Sequence, residues 1–213
     1  GSYYAVSDYK AINPEFGSLE DFKNLVATAH KNDIYIILDW VPNHTGWDHP
    51  WIYEHPDYYT QNEAGEIIDP SNPETGASWG WTDTADLNYS NPAMRTAMID
   101  GLRYWVKAAD IDGYRMDVAH QVPIDFFEKA TASLQEIKPV FMLAEAEQPN
   151  LMKKAFDNKG LKNVTSVDVD KFISATYGPV TAANAATYYG NYHGTYEPPF
   201  CHAQAKGLFD LVK

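Results

Sequence analysis

Apolar positions in this chain recur with two alternating periods. Ser18 is a helix-capping residue followed by the acids Glu20 and Asp21, and Leu19, Phe22, Leu25, Val26 and Ala29 fall on one helical face behind it. A short, partly β-branched apolar run at 34–38 follows, of the kind found in a strand covered on both faces. Asn91 and Pro92 form a cap and a first helical position, and Met94, Met98, Leu102, Trp105, Val106 and Ala109 carry that helix on. The segment 113–118 reads as the next strand. Ile124, Phe127, Ala130, Leu134 and Ile137 mark a further helix, and 140–144 a further strand. Helix and strand thus alternate, the signature of parallel βαβ units and an α/β fold.

Two regions lack this rhythm. Residues 40–90 separate a strand from its helix and carry Pro, Gly, Asn and several aromatics without long periodicity. A connection of that length is a functional loop or a small subdomain. Residues 157–213 show weak patterning, with short helices expected at 169–175 and 182–189.

The chain has 213 residues, ample for one domain with a sizeable core. Its net charge of −13 argues against nucleic acid or an anionic membrane as the main partner and suits a neutral substrate with a bound cation. No apolar run approaches the length of a membrane span. Cys201 is the single cysteine, so no internal disulfide forms, and compartment is not legible from it. The 15 Tyr and 6 Trp supply flat apolar faces that match the CH-rich face of a pyranose, although such rings also serve ordinary cores.

The chemistry lies at the strand ends. Asp39, Asp117 and Glu145 each close one of the expected strands. In a parallel α/β sheet the C-terminal strand ends form the rim where active sites sit. One acid there is as readily a cap or a salt-bridge partner as a functional group; three in register are harder to explain that way. Glycoside hydrolysis needs paired carboxylates, one to attack or stabilise the sugar cation and one to protonate the leaving oxygen. Arg115 stands two residues before Asp117, on the same side of a strand, where it favours the ionised carboxylate.

On these residues the chain resembles the alpha-amylase family of glycoside hydrolases, over roughly residues 1–156. Asp39 with Asn43-His44 looks like the family's first conserved block, Gly113-x-Arg115-x-Asp117 with His120 like its second, and Leu143-Ala-Glu145 like its third. Ala85-Asp86-Leu-Asn88 looks like the block closing the family's inserted B domain. Tyr3-Tyr4-Ala-Val-Ser-Asp8-Tyr9, running to Phe16-Gly17, looks like the segment after its second barrel strand. The resemblance implies a partial TIM (β/α)8 barrel in 1–44 and 91–213, with a B-like subdomain inserted at 45–90 after the third barrel strand. It implies a retaining hydrolase acting on starch, maltodextrin or related alpha-glucans and malto-oligosaccharides.

The implied roles go residue by residue. Asp117 is the nucleophile, Glu145 the general acid/base and Arg115 the group that orients Asp117. Glu147 is a rival for Glu145 but stands beyond the strand. His44, Tyr4, Asp39 and His120 serve substrate binding, with Tyr3 placed as well as Tyr4. Asn43, Asp86 and the main chain of His120 match positions that bind calcium; oxygen donors from separate loops suit such a hard cation, and simple turn chemistry would also explain Asn43 and Asp86. The likeness to secreted neopullulanase- and amylase-like enzymes of gut bacteria implies a secreted or cell-surface location. The family's third acid, an Asp after a His, has no clear copy: Asn191-Tyr-His193-Gly194 carries Gly194 in its place. Two barrel strands would precede Gly1 and the last three lack a counterpart, so a partner chain completing the barrel is one expectation. The second functional reading is a truncated or inactive relative that only binds glycan.

Overall fold

The computed structural model describes residues 2–72 and 75–145. Glu147, the expected helices at 169–175 and 182–189, and the Asn191–Gly194 segment lie outside the described residues. The chain divides into two compact units, Gly1–Met142 and Leu143–Lys213. Leu143, Ala144 and Glu145 are the described part of the second.

Helix α1 spans Leu19–His30. Ser18 accepts from the Asp21 amide, and the Asp21 carboxylate accepts from the Ser18 amide at 2.7 Å. This reciprocal capping box satisfies two amides that lack intrahelical partners, and such a cap is worth about 1 kcal/mol. Helix α1 ends where Asp33 adopts a left-handed φ of 56°. The Asp33 amide then reaches the His30 carbonyl and the Ile34 amide the Ala29 carbonyl, a Schellman closure. Ile34 therefore belongs to the helix end. The expected strand at 34–38 is displaced accordingly: strand β1 is Ile37–Trp40, and Ile34 and Tyr35 are exposed.

A short ladder follows within the long connection. Strand β2, His44–Gly46, pairs antiparallel with β3, Thr84–Asp86, placing His44 opposite Asp86. Between them, Trp51–Glu54 forms the one-turn helix α2, and Pro56–Tyr58 forms a 3₁₀ turn. Helix α3, Pro92–Ala109, starts at the Asn91 cap as expected. Strand β4 covers Gly113–Met116, two residues shorter than the expected 113–118. Helix α4 spans Ile124–Gln135 and strand β5 Phe141–Ala144.

β1 and β4 pair in parallel with Asp39 beside Arg115, and the strand order is β1-β4-β5. Gly113 is required where β5 arrives. A Cβ there would stand 1.9 Å from the Phe141 carbonyl oxygen, and the Phe141 amide donates to the Asp112 carbonyl at 2.8 Å.

The core lies between this sheet and the helices. Met94, Met98, Leu102, Tyr114, Phe126, Ala130 and Leu134 are fully buried. Trp40 stacks on Tyr9 at 4.9 Å, and the Tyr114 hydroxyl donates to the Leu102 carbonyl, tying β4 to α3. At the N-terminal end of the pair, Asp112 accepts from the Ile36 amide at 2.7 Å and contacts His30 at 2.8 Å and Lys138 at 3.2 Å.

Candidate active site

Period-two alternation along β4 and the parallel register with β1 bring three charged side chains together at the C-terminal strand ends. Arg115 Nη1 donates to Asp117 Oδ1 at 2.9 Å and to both Asp39 oxygens at 2.8 and 3.1 Å. One cation thus stands between two carboxylates. Asp117 is buried, while Asp39 is exposed on the rim. Tyr4 reaches the same group, its hydroxyl donating to Asp39 Oδ2 at 3.3 Å. Tyr3 turns elsewhere, to Glu15 at 2.9 Å and the Phe16 ring. Sequence alone did not separate these two tyrosines; the fold puts Tyr4 at the charged cluster.

The backbone at Asp117 is held tightly. Its amide donates to the Trp40 carbonyl at 2.8 Å, and Val118 then takes a left-handed φ of 45° before the 3₁₀ turn Ala119–Gln121. A β-branched residue is a rare occupant of that region, so the chain accepts local strain to leave the strand where Asp117 projects. The main chain of His120 lies in this turn. Glu145 comes directly after Ala144, the last residue of β5.

The segment after β1 is clamped by tyrosines that sequence reading missed as site residues. Tyr9 is buried and its hydroxyl lies 2.8 Å from the Val41 carbonyl and 3.1 Å from the His44 carbonyl. The Tyr89 hydroxyl donates to the Pro42 carbonyl at 2.6 Å. A Tyr hydroxyl buried among apolar groups needs a partner, and here the partners are the carbonyls that place Asn43 and His44. Tyr9 lies within the quoted 3–9 segment, which was the available signal.

His44 is buried against the Trp81 ring at 5.6 Å. Burial pushes its pKa down to about 4, against the opposing pull of Asp83 and a hydrogen bond with the Tyr4 main chain. At neutral pH the imidazole is uncharged, with one nitrogen able to donate and one to accept.

Asn43 and Asp86 come from the two sides of the β2–β3 ladder. Asn43 is buried, and its carbonyl accepts from the Leu87 amide at 3.1 Å. Burial raises the Asp86 pKa to about 6, offset in part by a hydrogen bond with Thr60. A half-buried carboxylate of this kind gains from a nearby cation, and amide, carboxylate and main-chain oxygens are the donors calcium takes. The donor chemistry fits. Among the described residues there is no group of three or more His, Cys, Asp or Glu side chains placed to hold a metal, so a site here depends on the amide and main-chain oxygens.

Comparison with known proteins places this geometry. The family model of the alpha-amylase catalytic domain matches residues 2–193. Alpha-amylase 3 of Dictyoglomus thermophilum is 34% identical over 178 residues, covering 74% of this chain and 35% of that protein. A cyclomaltodextrin glucanotransferase from a Bacillus species is 33% identical over 159 residues, 67% of this chain and 22% of that protein. Among solved structures, an alpha-amylase from Lactobacillus plantarum superimposes with a TM-score of 0.65 at 29% identity, over 88% of this chain and 45% of that one. The chain therefore spans about a third or less of the length of these two curated relatives. With its parallel β1–β4 pair and the Asp39, Arg115 and Asp117 cluster inside the matched region, the chain belongs to the alpha-amylase catalytic-domain family, and its β1-β4-β5 sheet is part of that family's TIM-barrel fold.

Proposed function

We propose that the protein carrying this chain is a retaining glycoside hydrolase that cleaves alpha-glucosidic bonds in starch, maltodextrin or related alpha-glucans by double displacement. The observation that carries this reading is Arg115 Nη1 joined to both Asp117 and Asp39 at the C-terminal edge of the β1–β4 pair. Asp117 attacks the anomeric carbon while Glu145 protonates the departing glycosidic oxygen. A covalent glycosyl ester on Asp117 results. Glu145, now a carboxylate, takes a proton from water, which attacks the same carbon and releases the sugar with its configuration retained. Arg115 keeps Asp117 anionic and aimed, since a protonated carboxyl is a poor nucleophile. Neutral His44 suits hydrogen bonding to sugar hydroxyls, and Tyr4 offers a ring beside Asp39.

Residues 45–90 act in this reading as a B-like insertion after the third barrel strand. Asn43, Asp86 and the His120 main chain would hold calcium between insertion and barrel, supplying charge compensation for the Asp86 carboxylate. A secreted or cell-surface setting suits a polymeric glucan, which does not cross a membrane.

The test is Asp117→Asn, which is nearly isosteric but removes the nucleophile's charge. Release of reducing ends from soluble starch by the full-length protein should fall on the order of a thousandfold or more, with the melting temperature little changed. Activity near that of the parent would sink the assignment. A parent protein that binds malto-oligosaccharides yet releases no reducing ends would favour the glycan-binding reading instead.

A further inference from the structure

The insertion carries an aromatic feature that the hydrolytic steps do not use. Trp79 and Trp81 stack with ring centroids 6.1 Å apart and planes at 23°. Trp81 is half-buried and tilts against His44, whereas Trp79 is 39% exposed. Trp79 thus stacks on Trp81 and keeps part of its surface open to solvent. Trp47 is exposed nearby in the chain fold, its indole N–H tied to the Thr82 carbonyl at 3.0 Å.

The backbone around this pair is fixed. The Trp79 amide donates to the Pro70 carbonyl at 3.0 Å, and Ser71 bridges Ser78. The Gly80 amide donates to Ser78 Oγ at 2.8 Å. The Thr84 amide and hydroxyl both donate to the Trp81 carbonyl, at 3.0 and 2.8 Å. An ordered loop that leaves a large flat apolar ring open to water loses burial energy that a small polar residue would not forfeit. A rigid ring stacked on the one that packs against the buried His44 instead makes a prepared contact surface, with little ordering cost at binding.

We propose that Trp79, braced by Trp81, is a stacking platform for a glucosyl unit of the alpha-glucan adjoining the unit held near His44. This rests on the glycosidase reading above. The occupant follows from chemistry: an uncharged pyranose offers a flat CH face to the ring, and a chain of net charge −13 disfavours an anionic polymer there. The platform reads the length of the chain bound, so it acts on longer oligosaccharides and leaves a short ligand untouched.

The experiment is calorimetric binding of maltohexaose and of maltose to the full-length protein carrying Asp117→Asn, which prevents turnover, with and without a change at Trp79. Trp79→Ala and Trp79→Leu should each weaken maltohexaose about tenfold, equivalent to ~1.4 kcal/mol, with maltose affinity unchanged. Trp79→Phe, which keeps a flat ring, should recover most of the loss. Since Trp79 lies on the surface, circular dichroism of all three should match the parent. Equal maltohexaose affinity in parent and Trp79→Leu, or equal losses for maltose and maltohexaose, would overturn the platform and leave the glycosidase reading standing. A parent that binds neither sugar would remove both.

Discussion

The two ends of the β1–β4 pair both carry aspartates, and they use them differently. At the N-terminal end Asp112 meets three partners from three parts of the chain: the Ile36 amide, His30 of α1 and Lys138 beyond α4. Burial alone would raise the Asp112 carboxyl, but these hydrogen bonds and the charge of Lys138 outweigh it and hold the pKa below 3.8. That is a staple. At the C-terminal end Asp39 and Asp117 converge on one guanidinium, Arg115, with Tyr4 above Asp39. Two carboxylates gathered around one cation, with a strained Val118 directly after Asp117, make an arrangement that a stability argument alone does not require. An aspartate at a strand end is therefore informative only through what surrounds it.

The contrast can be broken by exchanging the expected phenotypes. The largest structural effect should come from Gly113→Ala. The Phe141 backbone at 1.9 Å from the added Cβ cannot yield as a flexible side chain does, so a loss above about 4 kcal/mol is expected. Urea denaturation within 1 kcal/mol of the parent would show that β5 does not press on β4 this way.

Asp112→Ala should cost about 1–3 kcal/mol by leaving the Ile36 amide without its acceptor and Lys138 with Asp110 alone of its two carboxylate partners. Because the folded-state pKa of Asp112 is depressed, its contribution is present above pH 3.8 and is lost as pH falls through that depressed value. The variant should accordingly lose less stability on acidification to pH 3 than the parent does, while kcat per folded molecule stays near the parent's. A large fall in kcat with unchanged stability would invert the assignment of the two ends.

A third effect concerns calcium. If Asn43, Asp86 and the His120 main chain hold the ion, it binds the folded state and stabilises it by about 2.7 kcal/mol at a hundredfold excess over Kd. Melting curves with saturating calcium should lie a few degrees above those with excess EDTA, and Asp86→Ala should abolish the difference. Superimposable curves for the parent would count against the site.

How much of this was legible in the sequence follows the same division. Helices with strong ends were readable to the residue, because Ser18 with Asp21 and Asn91 with Pro92 are local signals. The start of β1 was misplaced by three residues, because Asp33 rather than glycine takes the left-handed position that closes α1, so Ile34 looked like strand. That Arg115 and Asp117 share one side of β4 was legible because period-two alternation is a short-range rule, whereas the Arg115–Asp39 contact joins residues 76 apart and was not. The roles of Tyr9 and Tyr89 were not. Their hydroxyls act on carbonyls 32 to 47 residues away, and no periodicity encodes such a pairing. The connection between β1 and α3 was opaque for a related reason, since a short ladder, turn hydrogen bonds and ring contacts hold it rather than a long periodic element.

The claim at the centre is that Asp117 forms a covalent bond to the sugar. It is tested most directly by treating the full-length protein with a fluorinated alpha-maltosyl fluoride, which slows breakdown of the glycosyl ester, and mapping the adduct by peptide mass spectrometry. The account predicts one maltosyl-type adduct, on the peptide containing Asp117 and absent in Asp117→Asn, together with alpha-configured product from natural substrate by NMR. An adduct on Glu145 or Glu147, or beta-configured product with no adduct, would contradict it.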